Sequence, residues 1–232
     1  MMLRAVALLL CALSLTLAPP RFAAAAESRC YGTTSHGRLE GGVRIPPSNR
    51  NYTPYSRLGV VLGRTYAHAR VASSVADAYA ALARTAPTKV FVYGESGWPD
   101  GGRIRPHRTH QNGLSVDFMV PVVDARGESV RLPGSVTNEF GYAIEFDQNA
   151  RYNALTIDFD AIATHLKALH AAARANGIGV SRVIFDRRYQ PKLFATRDGA
   201  WVRDNVSFMR TEPWIRHDEH YHVDFAVACR PL

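Results

Sequence analysis

Two stretches far apart in the chain alternate large apolar side chains with a mainly polar set, and each is led by histidines. Leu114, Val116, Phe118 and Val120 alternate with Ser115, Asp117 and Met119, and Tyr221, Val223, Phe225 and Val227 alternate with His220, His222, Asp224 and Ala226. Successive side chains on a strand point to opposite faces, so each stretch predicts a strand with one face against a core. His220 and His222 then share one face of the last strand, and Asp117 shares a face with Ser115. If both strands belong to one sheet, imidazoles and a carboxylate meet on it.

The rest of the chain supplies what such a sheet needs to pack against. Val71, Val75, Ala78 and Leu82 recur at helical spacing and predict a helix over 66–84. Phe159, Ile162, Leu166, Leu169 and Ala173 predict a second over 158–175, capped by Asp158 or Asp160 and closed by Asn176-Gly177. His165 and His170 lie on this second helix and are expected to be partly exposed. Short strands are expected at 90–93 and 183–185, and the Pro- and Gly-rich run 97–108 must be a loop. Two helices and several strands without a regular strand-helix-strand repeat predict an α+β fold: a single domain with a small, mainly antiparallel sheet and flanking helices.

Residues 1–26 are expected to stand outside that domain. Arg4 precedes an apolar run from Ala5 to Leu17, and Ala24 and Ala26 have the spacing of a cleavage site, which is the pattern of a signal peptide. The run falls short of the roughly 20 apolar residues that a membrane span needs. The mature chain is therefore expected to be secreted, with no membrane span, as an extended amino-terminal segment over 27–55 followed by a domain over 56–232. Loss of Cys11 with the leader leaves Cys30 and Cys229, which predict one disulfide in an oxidising compartment. The formal charge of +8 favours an anionic polymer as partner. Export points to a cell-wall polymer and away from nucleic acid.

Five of the nine histidines fall in two clusters, His107-Arg-Thr-His110-Gln-Asn-Gly113-Leu-Ser-Val-Asp117 and His217-Asp-Glu-His220-Tyr-His222. Two imidazoles and one carboxylate with a vacant fourth position form the ligand set of a catalytic zinc site. Such a site activates water, and a further histidine beside it serves as general base or stabilises the oxyanion. Gly113 permits a bend that brings His110 back toward Asp117. Asp224 is read either as the acceptor that orients His222 or as an ordinary strand carboxylate. Glu219 lacks a second histidine at helical spacing, which excludes a helical HExxH site. Arg103, Arg105 and Arg108, near the first cluster, are either contacts for substrate carboxylates or solvated surface.

With Gly94-Glu-Ser96 and Gly101-Gly102 ahead of them, these two clusters resemble the penicillin-insensitive murein endopeptidases, relatives of the lysostaphin-type and D-Ala-D-Ala metallopeptidases. The resemblance implies a zinc metallopeptidase of the periplasm. Its metal ligands would be His110, Asp117 and His222, and its catalytic residue His220. His107 and His217 would touch the ligands or the substrate, and the resemblance leaves room for an accessory second ion at His107 beside the catalytic Zn2+. The implied substrate is the peptide stem of peptidoglycan, cut at the D-alanyl amide to meso-diaminopimelate. A D-Ala-D-Ala carboxypeptidase with the same zinc site, and a non-catalytic zinc- or wall-binding module, stay open on the sequence.

Overall fold

The computed structural model describes residues 27–232, so the leader expected over 1–26 lies outside the described residues. The chain enters as a hairpin of β1 (Arg29–Thr33) and β2 (His36–Glu40), followed by β3 (Val43–Arg44), β4 (Tyr52–Pro54) and the short helix α1 (Arg57–Val61). β5 (Tyr66–Ala67) pairs back onto β3 and leads into α2 (Ala69–Thr85), then β6 (Phe91–Tyr93). After the long loop come β7 (Ser115–Met119), β8 (Val122–Val123), β9 (Ser129–Val130), a 3-10 turn over Val136–Gly141, β10 (Arg151–Tyr152) and β11 (Leu155–Ile157). α3 (Phe159–Ala175), β12 (Gly179–Ile184), α4 (Gln190–Phe194), α5 (Gly199–Asn205) and β13 (His220–Ala226) complete the chain.

A five-stranded sheet in the order β12-β13-β7-β6-β4 organises the molecule. All its pairings are antiparallel except β4 with β6. One face bears Val116, Phe118, Tyr221, Val223 and Phe225, all buried. α2 and α3 cover it, because Val71, Val75, Ala78 and Leu82 on one helix and Ile162, Leu166, Leu169 and Ala173 on the other form apolar stripes. The junction is aromatic: His165 lies 5.2 Å from the Tyr79 ring and 4.7 Å from Phe118. A second antiparallel sheet, β10-β11-β8-β9, flanks the first, giving the α+β architecture expected.

The helices expected over 66–84 and 158–175 are α2 and α3, and Asp158 caps α3 by accepting from the Ala161 amide at 3.0 Å. His165 departs from expectation. It is fully buried, with Nδ1 against the Tyr221 hydroxyl at 2.6 Å, because this position faces α2 and the sheet within the helix's apolar stripe. The segment 27–55, read as extended, holds four strands. Strands of two to five residues are too short for a period to show in the sequence. The Cys30–Cys229 disulfide is formed and fastens the hairpin to the carboxyl-terminal residues. Among the described residues no helix is long and apolar enough to cross a membrane.

Candidate metal centre

The pairing of β7 with β13 builds the site. His222 stands directly across from Asp117, His220 across from Met119 and Asp224 across from Ser115, so these residues line the sheet face away from the helices. The loop before β7 then folds His107 and His110 over that face. Gly113 turns it with φ +77°, and a Cβ there would lie 2.7 Å from the His68 amide nitrogen, so only glycine fits. His110 itself has φ +67°, a left-handed backbone that a residue with a Cβ adopts at some cost.

Asp117 is the hub, and each surrounding imidazole is fixed from behind. His110 Nδ1–H donates to the Ser96 carbonyl at 3.2 Å, which leaves Nε2 facing Asp117 Oδ1 at 3.2 Å. His222 Nε2–H donates to Asp224 at 2.8 Å and turns Nδ1 to Asp117 Oδ1 at 2.9 Å. His107 Nε2–H donates to Glu95 at 2.7 Å, and its Nδ1 lies 3.8 Å from Asp117 Oδ2. His220 Nδ1 meets Glu219 at 2.7 Å, and its Nε2 lies 3.9 Å from the same Oδ2. His217 donates Nδ1–H to the Ile215 carbonyl at 2.8 Å and packs 4.6 Å from the His220 ring. An acceptor on one ring nitrogen fixes the tautomer and aims the other nitrogen's lone pair inward, which is how metal-binding histidines are held.

Electrostatics demand positive charge at this hub. Burial works against charge on Asp117, but His110 and His220 outweigh it and hold the carboxyl well below its usual range. Burial lowers His110 against the pull of Asp117. On His222 burial is outweighed by Asp224 and Asp117, which raise it to about 10, so that a cation at the hub would take the place of the proton on Nδ1. His110 Nε2 is buried and has no hydrogen-bond partner, an arrangement that is costly unless something accepts its lone pair. A divalent cation beside Asp117 satisfies both demands, and imidazole with carboxylate suits a first-row metal. The donor atoms of His107, His110 and Asp117 lie within 4.8 Å of one another, so these three could hold an ion.

Several residues that hold the site carried no role, or no settled one, in the sequence. Glu95 receives Tyr55, the Arg64 guanidinium and His107; burial raises its carboxyl, but His107 and Arg64 bring it down to about 2. Tyr142 donates to Asp117 Oδ2 at 3.1 Å and accepts from the Glu95 amide at 2.8 Å. It comes this close because residue 94 is glycine: a Cβ there would lie 2.4 Å from the Tyr142 hydroxyl. Asp224 is buried and bound by Ser115 and Arg182 as well as His222, so it is the orienting acceptor and not a solvated carboxylate. Glu219 is buried, and burial pushes it up to about 8 while pushing His220 down to about 4. Glu95 stood inside the quoted Gly94-Glu-Ser96 and Glu219 inside the second cluster. Tyr142 lies in a segment with no pattern to mark it.

The cluster opens into a cleft of about 530 Å3. His107, His217, Glu219, His220 and His222 line it beside Tyr142, and Leu58, Leu62 and Val136 on its lining are exposed. A buried polar hub at the floor of a partly apolar cleft is the usual form of an enzyme site. A search of curated proteins finds no match to the chain. The family model of penicillin-insensitive murein endopeptidases matches residues 30–231, from the first cysteine of the hairpin past β13 and through both histidine clusters, and the chain belongs to that family of peptidases acting on murein.

Proposed function

We propose that the protein is a zinc-dependent, exported endopeptidase that hydrolyses the D-alanyl amide to meso-diaminopimelate in cross-linked peptidoglycan. The observation that carries this reading is the convergence of His110 Nε2 and His222 Nδ1 on Asp117 Oδ1, at 3.2 and 2.9 Å. His110, Asp117 and His222 would hold the ion, with His107 within reach of it. Zn2+ bound there supplies a Lewis acid and lowers the pKa of a bound water to roughly 7.

The chain's own groups handle the proton and the geometry. With the ion bound, its charge would favour Glu219 as a carboxylate, which accepts Nδ1–H and leaves His220 Nε2 as the atom that takes a proton from the attacking water. As the water oxygen bonds to the carbonyl carbon and the C–N bond breaks, Nε2 returns that proton to the leaving amine nitrogen, so His220 ends as it began. Tyr142 keeps Asp117 oriented, and burial holds its hydroxyl protonated, well above the usual phenol range. The apolar lining excludes water from around these dipoles, which strengthens them.

Digestion of purified peptidoglycan tests this directly. The mature protein is expected to convert cross-linked dimers into monomers whose newly freed amine belongs to diaminopimelate, with activity abolished by chelator and restored by Zn2+. Release of terminal D-alanine with the cross-links intact would replace this reading with a carboxypeptidase, and chelator-resistant cleavage would remove the metal.

A further inference from the structure

We infer that Arg108, held over the Trp214 ring, anchors a free carboxylate of the substrate beside the bond to be cut, and so makes the protein selective for stems whose diaminopimelate carboxyl is not amidated. The inference rests on the function proposed above. Three ring contacts lead from the site to this cation: His220 packs 4.6 Å from His217, His217 meets Trp214 edge-on at 6.1 Å, and the Arg108 guanidinium lies 5.5 Å from the Trp214 centroid.

Trp214 lines the cleft, as do Pro106, His107 and Thr109 around Arg108. Arg64, which also lines the cleft, is committed to Glu95. Arg182, Arg187, Arg188, Arg203 and Arg216 each have a carboxylate within 4.0 Å. Among the described residues Arg108 has none, and neither do Arg103 and Arg105 of the same loop, but of these three only Arg108 lies over a ring that lines the cleft. A guanidinium held over an aromatic ring keeps N–H groups for a planar anion, and carboxylate is a good match to them. The exposed cleft residues Leu58, Leu62 and Val136 suit the aliphatic parts of alanine and of a long diamino acid. The amide to be cut is formed by an amine whose own carbon bears a carboxyl group, so an anion accompanies every such bond unless it is amidated.

The test compares two cross-linked muropeptides that differ only in amidation of that carboxyl. The wild-type protein is expected to favour the free acid by about 10- to 100-fold in kcat/KM, chiefly through KM, the scale of one charge-assisted hydrogen-bonded pair. R108Q should lose the preference, with R108K and W214F retaining part of it and W214A less. Metal content should be unchanged in all four variants. A wild type indifferent to amidation, or an R108Q variant that keeps the preference, overturns the inference while leaving the endopeptidase reading intact. If the wild type cuts neither substrate, it is the endopeptidase reading that fails. Calorimetric titration of the same two peptides then decides for Arg108, with equal affinities in wild type and R108Q overturning it.

Discussion

Each imidazole of the cluster owes its direction to the group behind it, so the residues fall into two sets that mutation separates. His110→Ala, Asp117→Ala and His222→Ala are expected to lose metal and turnover together, because each removes one of three proposed ligands. His220→Ala is expected to keep the metal, measured by atomic absorption, while turnover falls about 10²- to 10⁴-fold. Full metal occupancy in any of the first three, or a near-normal rate in the fourth, would reassign that residue. Asp224→Ala releases His222 Nε2 and is expected to weaken zinc binding about 10- to 100-fold, read from competition with a chromogenic chelator; unaltered affinity would make Asp224 a purely structural partner of Arg182. The histidines of this site were legible because two tight clusters of one residue type stand out against the rest of the chain. Glu95 and Tyr142 were not assigned roles, since a single glutamate or tyrosine has no spacing to betray it and only the folded loop brings it to Asp117.

The strands and helices were legible for a related reason. β7 and β13 alternate over five and seven residues, and α2 and α3 run for 17 residues each, long enough for a period to repeat. The two-residue strands and the short helices α1, α4 and α5 offer no such repeat. His165 shows where residue type misleads: imidazole reads as a surface group, yet here it fills an aromatic pocket where burial pushes it down to about 3. The unfolded chain protonates this ring below about pH 6.5, while the folded one refuses the proton until near pH 3. Its contribution is therefore complete above pH 6.5 and is lost as pH falls through that window. His217, lowered to about 3, and His220, lowered to about 4, act in the same direction. Glu219, raised to about 8, and Asp218, raised to about 6, oppose them, but the three histidines outnumber these two carboxyls, so stability from urea titrations should rise with pH between 4 and 6. His165→Leu should flatten that rise by one proton, about 1.4 kcal/mol per pH unit, while the lost Tyr221 partner lowers the plateau by about 1–3 kcal/mol. An unchanged slope would show that the imidazole is protonated in the fold.

Across the whole molecule, the disulfide joins residues 199 apart and reaches the site through one contact, because Asn112 Nδ2 donates to Cys229 Sγ at 3.5 Å from the loop that carries His110. The Gln111 amide also bonds the Thr34 carbonyl of the hairpin at 3.0 Å. Replacing both cysteines by serine is expected to cost about 2–5 kcal/mol of stability and to speed zinc loss to a chelator. A variant with a lower denaturation midpoint but the same zinc dissociation rate would confine the disulfide to stability. The pairing of Cys30 with Cys229 followed from an oxidising compartment and a count of two, but its link to the metal loop depends on tertiary contacts that no local pattern encodes. One last consequence follows from the placement of His222 opposite Asp117. A slip of one residue between these neighbours would turn one of the two side chains into the aromatic layer beneath the helices and bring Tyr221 or Phe118 outward. Misaligned molecules would accordingly be inert, not wrongly specific, so bound metal would double as a readout of correct strand alignment.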